Sequence, residues 1–576
     1  MDSADQWLEW DQNPQTRRVI EKSKKEKNVK ESENRSSTRL EFGTAGSRGK
    51  MDGGSCYMNE LTVIQASQGL AVYLRSAVEN ASDRGIVIGH DHRHNSIDFA
   101  QVTAAVFLHF GFKVYYYEKL VHTPMVPFGV KHSNAAAGVM ITASHNPAQD
   151  NGYKVYWENA SQIIPPHDSN IAKCITENSK PLTWDKGAAD IMGIKCYDSM
   201  FQEYMQEVAT RSPIMHPTAP IDVVYTAMHG VGSIPFKAAL KHSAVEATVN
   251  HVLAQDSPDP DFPTVSFPNP EEHGALDLSI QLADSLTNVD IILANDPDAD
   301  RCAVAAKKNG KFIQLSGNQL GVLFAVFILE CYRLDGRDSK TLAMLNSTVS
   351  SQMLQAIAQT EGFRYEDTLT GFKWLGNRAQ ALEREGYSVP FAYEEAIGYM
   401  FPLVHDKDGI TACIVAMRMA AYYKTQGIGL FEKLEQLYKK YGYFVSINSY
   451  FRVPTPSLTA EVFNYIRGRK SPFPDKLGRF LITSWRDLTI GYDSMTVDHV
   501  PLLPVSKSSE MITFQLDNGL VKVTMRGSGT EPKLKVYVEA KSDSISEATD
   551  ICKSVWESIE REWIRGDITG LQSCPF

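Results

Sequence analysis

Three times along the chain an apolar run and an amphipathic stretch lead to a second apolar run that stops abruptly in a cluster of polar residues. RGIVIGHD near Ile86 is followed by GVMITASHNP, IDVVYTAMHG from Ile221 by VDIILANDPDADR, and TLAMLNSTVSS from Thr341 by VPFAYEEAIGY. Apolar strands alternating with amphipathic helices build parallel or mixed sheets through right-handed crossovers, and such sheets collect ligands beyond the carboxyl ends of their strands. Each polar cluster stands where that rule puts a site. From about Tyr450 the pattern changes. MITFQLDNGLVKVTM alternates around Asp517, Asn518 and Gly519 as a hairpin does, and a helix is expected from Ser546. The expected fold class is therefore α/β, with three similar α/β domains and a smaller C-terminal α+β domain.

Expected boundaries are a polar N-terminal arm over 1–38, a first domain over 39–215, a second over 216–332, a third over 333–450 and a fourth over 451–576. In the arm, EKSKKEKNVKE reads as a solvated helix or a mobile tail, since acids are interleaved with its lysines. With 576 residues, of which 43% are hydrophobic, the chain is long enough for about three or four domains. A formal charge of -10 argues against a nucleic-acid binder, so any phosphate site must be built locally. The eight cysteines are scattered with no CxxC pair, which suits free thiols in a reducing cytosol. LGVLFAVFIL from Leu320 is too short to span a bilayer and reads as a buried helix, and MDSADQWLEW does not look like a signal peptide. The expectation is a soluble, cytoplasmic protein without a membrane partner.

Three loops carry chemistry. ANDPDADR places Asp296, Asp298 and Asp300 two residues apart after a strand, and carboxylates so spaced can converge on one hard cation such as Mg²⁺. A calcium-binding EF-hand loop fails, because Arg301 and Lys307 stand where it needs Gly and Glu. An acidic turn without metal is the plainer alternative, yet three adjacent carboxylates repel one another unless a cation is present. MRGSGTEPK from Met525 joins Arg526 to glycines and to the hydroxyls of Ser528 and Thr530, either as a phosphate cradle or as a plain glycine turn. In TASHNP, Ser144 has no helix after it to cap, because Pro147 and Asn151-Gly152 punctuate the chain, and no GxSxG elbow surrounds it. A serine beside a metal site and a phosphate cradle can instead carry a transferable phosphoryl group.

TASHNP with NGYK, then DPDADR, then an EE-containing loop, then RGSGTEP, in that order, resemble the α-D-phosphohexomutase family over nearly all of the chain from about residue 40. EFGTAGSRG, LANDPDADR, GFKWLGN and EEAIGYM look closest to the branch that holds phosphopentomutase, phosphoglucomutase and glucose 1,6-bisphosphate synthase. The resemblance implies four domains around a central cleft and a phosphosugar mutase, an intramolecular phosphotransferase of carbohydrate metabolism. It would interconvert a sugar 1-phosphate with its 5- or 6-phosphate.

By the same resemblance Ser144 is a phosphoserine that completes a Mg²⁺ shell with Asp296, Asp298 and Asp300. A sugar bisphosphate, glucose 1,6-bisphosphate, serves as activator. Lys154, Arg48 and Arg301 match positions around the transferring group, and Lys407 matches a cationic candidate for general acid/base work. Substrate-binding positions match Thr44, His145, Arg301, Gly371, Lys373, Glu394, Ala396 and Lys407. Arg526, Ser528, Gly529 and Thr530 match the loop that holds the phosphate not being transferred. Where many hexose-specific members read Gly-Glu-x-Ser, this chain has Tyr393, Glu394, Glu395 and Ala396, so a hydroxyl is missing at Ala396 and bulk is added at Tyr393. That departure makes a pentose phosphate plausible, with hexose phosphate as a second substrate. Asp91 and Arg93 in GHDHRHNS resemble a strand-end loop of the family, which favours a structural role over a histidine metal site.

Glucose 1,6-bisphosphate synthesis from an outside donor would use the same loops. An aspartyl-phosphate phosphatase with Asp296 as nucleophile is a more remote alternative, and a non-catalytic sugar-phosphate sensor another. Partners are small phosphosugars, and the chain is expected to be a monomer or dimer.

Overall fold

In the computed structural model of the chain, residues 4–25, 35, 39–44, 46–528 and 532–574 are described. They divide into two compact units, one of residues 1–345 with 371–431 and the other of residues 346–370 with 432–576.

The first unit begins with two helices, α1 (Ala4–Trp10) and α2 (Pro14–Lys25). The arm is thus structured over these residues. Trp7 and Ile20 are fully buried beside Leu61, while most of the charged residues of α2 remain outside. The remainder of the lysine-rich run, 26–34, lies outside the described residues.

A six-stranded sheet follows: β1 (Ser47–Lys50), β2 (Ile86–His90), β3 (Val114–Tyr116), β4 (Ala137–Ile141), β5 (Asp150–Trp157) and β6 (Ile194–Lys195), in the order β1-β5-β4-β2-β3-β6. β2 and β4 run parallel, and each is buried along its whole length, as strands covered on both faces must be. β5 turns back antiparallel on β4, with Ile141 opposite Tyr153. The corner between them carries Ser144, and because β5 rather than a helix follows, that serine caps nothing. Helix α3 (Glu60–Ala77) covers the sheet and opens on a capping box in which Asn59 and Thr62 each satisfy the other's backbone N–H.

A second, five-stranded sheet holds β7 (Ile221–Thr226), β8 (Ala247–His251), β9 (Ile291–Ala294), β10 (Ala303–Lys308) and β11 (Lys311–Gln314), ordered β11-β10-β9-β7-β8. β9 is parallel to β7 and β10 antiparallel to β9, so the acidic loop spans the turn from a parallel to an antiparallel neighbour. The apolar run from Leu320 is a buried helix, α4 (Gly317–Leu334). The third region of this unit contributes α5 (Phe372–Arg384), β12 (Ser388–Glu394), β13 (Gly398–Met400) and α6 (Gly409–Thr425), with Glu394 opposite Gly398 in an antiparallel pair. Gly409 opens α6 against the acidic loop. A Cβ there would lie 2.2 Å from the Arg301 carbonyl oxygen, so only glycine permits this approach.

The second unit is built on an antiparallel sheet that includes β14 (Tyr443–Arg452), β15 (Phe480–Asp487), β16 (Met511–Leu516), β17 (Val521–Gly527) and β18 (Lys533–Ser542). β16 and β17 form the expected hairpin, whose turn residues Asp517, Asn518 and Gly519 all have positive φ. Helix α7 (Ile545–Ile559), capped by Ser544, buries Ala548, Cys552, Val555 and Ile559 in the core of this unit.

Candidate active site

The strand β4 delivers the chain to a corner that has no regular structure of its own, and one buried guanidinium holds it. Arg93 donates to the carbonyls of Ser144 at 2.6 Å, Asn146 at 2.6 Å, Pro147 at 2.8 Å and Asp150 at 3.1 Å. Asp91 fixes Arg93 in turn, accepting its backbone N–H at 3.0 Å and the Ser96 hydroxyl at 2.6 Å. The structural reading of Asp91 and Arg93 therefore holds. Among the described residues Asp296, Asp298 and Asp300 alone converge as metal ligands can, while His90 faces the Asp91 carbonyl and His94 pairs with Asp261.

Within this corner Ser144 sits at φ 54°, a left-handed conformation rare for a residue with a Cβ. Such strain persists where surrounding contacts over-determine it and is concentrated at functional sites. Its N–H bonds Thr142 Oγ1 at 2.9 Å, and its Oγ donates to Asp296 Oδ2 at 2.8 Å. His145 Nδ1 lies 3.3 Å from the same hydroxyl. Burial and the nearby Arg301 and Arg48 cations hold the His145 imidazole well below its ordinary pKa.

Asp296, Asp298 and Asp300 are buried, and one oxygen of each lies within 4.8 Å of the others. Three carboxylates so placed need positive charge. Lys154, from β5, supplies some of it, with its ammonium 2.7 Å from Asp298 Oδ2 and 2.9 Å from Asp300 Oδ2. Burial opposes the charge on Lys154, but the two carboxylates outweigh it and hold its pKa above the ordinary range. Burial likewise works to raise Asp298, but the Lys154 ammonium and a 2.5 Å hydrogen bond from Thr123 hold it far below the usual carboxylate range. Asp296 has only the more distant Arg301 guanidinium to offset burial, and burial with the neighbouring Asp298 and Asp300 charges raises it well above its usual value.

The donor set fits a hard cation. Asp298 Oδ1 and Asp300 Oδ1 are buried and accept no hydrogen bond from any described residue, leaving two carboxylate oxygens with spare capacity beside Asp296. All-oxygen ligation by carboxylates suits Mg²⁺.

Further cations ring the triplet. Arg301 Nε lies 4.0 Å from both Asp296 Oδ2 and Asp300 Oδ1, and its Nη1 is 3.9 Å from Glu271. Lys407 Nζ stands 3.4 Å from Asp300 Oδ2 and 3.9 Å from Asp406 Oδ1, and burial is outweighed there too, so its pKa is raised. Arg48 donates to Asn146 Oδ1 at 3.1 Å on the serine corner. Lys373 donates to Thr44 Oγ1, and the Gly371 N–H donates to Glu394, whose pKa burial and the adjacent Glu395 raise. Ala396 lies in the turn between β12 and β13. Tyr393 does not add bulk to this loop as its sequence position suggests. Its ring is fully buried, against Gly321 of α4 and near Phe391 and Tyr399, because alternation along β12 turns it to the core.

In the second unit, Arg526 ends β17 with its Nη2 3.3 Å from the Tyr537 hydroxyl, and the Ser528 N–H bonds the Lys533 carbonyl at 2.9 Å. Gly529 and Thr530 of the expected phosphate loop lie outside the described residues.

Sequence reasoning missed three supports. Thr123 bonds Asp298 through both its hydroxyl and its N–H, Asp406 receives the hydroxyl of Tyr156 at 2.8 Å beside Lys407, and Glu271 faces Arg301. Thr123 and Glu271 stand in unremarkable loops, with no spacing signal to mark them. Asp406 was visible as the first residue of DKDG but had no evident partner.

The phosphoglucomutase/phosphomannomutase models for α/β/α domains I, II and III match residues 39–182, 202–310 and 316–441, and the C-terminal domain model matches 498–555. A probable phosphoribomutase of Schizosaccharomyces pombe is 46% identical, with 99% of this chain and 98% of that protein covered. A human glucose 1,6-bisphosphate synthase is 42% identical, with 93% of this chain and 89% of that protein covered. The fold is shared with the Paramecium phosphoprotein pp63/parafusin, a phosphoglucomutase in its open form, at a TM-score of 0.66 and 15% identity over 94% of this chain and 98% of that one. With four domain models matched in order and relatives aligned from end to end, the chain belongs to the phosphoglucomutase/phosphomannomutase family of phosphosugar mutases.

Proposed function

We propose that this protein is a Mg²⁺-dependent phosphopentomutase/phosphoglucomutase that works through a phosphoserine at Ser144. The observation that carries the reading is the 2.8 Å contact of the Ser144 hydroxyl with Asp296, inside a buried carboxylate triplet ringed by Lys154, Arg301 and Lys407. Phosphoryl transfer asks for positioning and charge neutralisation more than for covalent novelty, and those are the tools assembled here. Asp296, Asp298, Asp300 and the Ser144 phosphate would hold the Mg²⁺, which when bound supplies positive charge to the transferring group.

The bond between phosphorus and Ser144 Oγ breaks, a bond to a sugar-phosphate hydroxyl forms, and the hydroxyl proton ends on Ser144. The bisphosphate turns over in the site and its other phosphate returns to Ser144. Arg48, Lys154, Arg301 and His145 surround the group in flight, and Lys407, held protonated by Asp300 and Asp406, is the acid at hand. Thr44, Gly371, Lys373, Glu394 and Ala396 receive the sugar. Arg526, Ser528, Gly529 and Thr530 hold the resting phosphate. A division at 39–215, 216–332, 333–450 and 451–576 assigns one of the four loops to each domain.

The phosphoribomutase relative and the missing hydroxyl at Ala396 favour a pentose phosphate, with hexose phosphate second. The same reading has the protein cytoplasmic, a phosphoprotein, a monomer or dimer, and activated by glucose 1,6-bisphosphate. Its described cysteines are all unpaired, and no described helix is long and apolar enough to cross a membrane.

A second reading, synthesis of glucose 1,6-bisphosphate from an outside donor, draws on the 42% identical synthase. An aspartyl-phosphate phosphatase is disfavoured, because four mutase domain models match the chain in order and the Ser144 hydroxyl is seated on Asp296 at 2.8 Å. Turnover of ribose 1-phosphate, deoxyribose 1-phosphate and glucose 1-phosphate with bisphosphate present is the test. Isomerisation lost in Ser144→Ala supports the mutase, and full activity in that variant rules it out. Net bisphosphate accumulation on adding 1,3-bisphosphoglycerate would select the second reading.

A further inference from the structure

A cavity of about 800 Å³ lies in the first unit, and none of the residues around Ser144 lines it. Its volume is that of a small-molecule site. Lys131, Arg211, Ser212, Tyr332, Tyr387 and Val389 are in its wall. Most charges there are spoken for: Arg337 pairs with Asp335 at 3.1 Å and His405 with Glu383 at 2.9 Å. Lys131 is different, making no ion pair among the described residues. Burial and the nearby Arg211 cation hold its pKa below the ordinary range. Arg211 has only an exposed contact with Glu207, four residues earlier on its own helix, at 2.9 Å. Such pairs are worth little, so Arg211 can turn to a ligand.

The end of that helix would ordinarily repel an anion through its unpaired carbonyls. Here, at the end of the helix Tyr197–Arg211, Arg418 offsets part of that, donating to Ala209 O at 3.1 Å and to the carbonyl of the cap residue Ser212 at 2.8 Å. Ser212 itself is only 5% exposed, and its hydroxyl has no partner among the described residues. That oxygen is closed off from solvent, so Lys131 and Arg211 are the groups left to meet an anion entering the cavity. The remaining wall mixes the hydroxyls of Thr210, Tyr332 and Tyr387 with Pro213, Ile214, Pro390 and Pro402.

We propose that this cavity binds a small organic anion, a phosphate or carboxylate carried on an apolar or aromatic body, and that its occupancy adjusts the Ser144 site. The anion is held by Lys131 and Arg211, and the body by the tyrosine rings and prolines of the wall. Two segments join the cavity to the site. Strand β12 starts in the wall at Ser388 and Val389 and ends at Glu394, and His405 of the wall is followed directly by Asp406 and Lys407. The effector role rests on the proposed function, whereas binding stands apart from it.

The probe is phenylphosphonate, an aromatic anion with no transferable phosphoryl group, and hydrogen–deuterium exchange localises it. Slower exchange in residues 208–214 and 386–391 is expected, both in the wild-type protein and in Ser144→Ala. Lys131→Glu with Arg211→Glu should weaken that protection at least tenfold. Ser388→Trp, which at a half-buried position of the wall narrows the cavity without changing charge, should do the same and covers the case in which the charge variant misfolds. No protection in these segments, or protection unchanged in both variants, overturns the binding. At saturating sugar phosphate the probe should change kcat at least twofold in wild type and leave Ser388→Trp unaffected. Protection without that response overturns the effector role, and a protein with no mutase turnover contradicts the proposed function while the exchange data still report on the cavity.

Discussion

Ser144 Oγ donates to Asp296 Oδ2 at 2.8 Å across 152 positions of sequence, joining the end of one strand repeat to the end of the next. The serine pays for this placement with a positive φ of 54°. A Cβ in that region costs about 1–2 kcal/mol, which glycine escapes. Ser144→Gly and Ser144→Ala should both lose about three orders of magnitude or more of mutase turnover. Thermal melts should place the glycine variant above the alanine variant by about 1 kcal/mol, and the reverse order would mean that the corner is not strained.

Lys154 is the only lysine in direct contact with two carboxylates of the triplet among the described residues, and its removal should expose their repulsion. In the absence of added metal, Lys154→Met is expected to lose about 3 kcal/mol of stability, since breaking a buried pair strands the remaining charge. Added Mg²⁺ should restore part of that loss, read as a melting shift larger than in wild type. A variant as stable as wild type without metal would contradict the arrangement.

Arg93 organises the serine corner through four carbonyls and touches neither the triplet nor the lysines. Lysine cannot reproduce its planar fan of donors. Arg93→Lys should cost about 2 kcal/mol and lower kcat at least tenfold while leaving KM within about twofold, because the corner rather than the sugar site is loosened. A change confined to KM would argue against this role.

His122, 1% exposed and edge-on to Tyr204 at 4.8 Å, has its pKa depressed by burial to about 3, against 6.5 for the ordinary residue. The folded state thus resists its protonation, with the nearby Asp298 charge only partly offsetting burial. Its contribution to stability is complete above pH 6.5 and is lost as pH falls toward 3, a span worth on the order of 5 kcal/mol. His122→Phe should flatten the acid limb of a stability–pH profile by part of that amount between those limits. Superimposed limbs would show that His122 titrates normally.

The repeat pattern carried the fold because β2, β4 and β9 are buried on both faces, so their apolar runs are continuous and end at the first polar residue. That is why Ser144 and Asp296 stood out in the sequence, each just past an apolar run, whereas Lys407 was reached only through the family resemblance. The supports around them did not. Thr123 acts through the carboxylate and the carbonyl of Asp298, far away in sequence, and nothing local distinguishes a threonine that braces Asp298 from one in any loop. Tyr393 misled because one-residue alternation in β12 sends neighbouring side chains to opposite faces, placing Glu394 at the site and its neighbour in the core. In the N-terminal arm, charged and polar neighbours masked Trp7 and Ile20, two apolar residues that seat its helices beside Leu61.

Storage of a phosphoryl group on one serine oxygen is the central claim, and the mass of the peptide spanning residues 142–153 tests it directly. After incubation with glucose 1,6-bisphosphate and Mg²⁺, the wild-type peptide should gain the mass of one phosphoryl group, with fragmentation placing it on Ser144. Subsequent addition of a sugar monophosphate should remove it. A peptide that stays unmodified in a protein actively interconverting sugar phosphates, or a phosphoryl group found on Asp296 instead, would contradict the account.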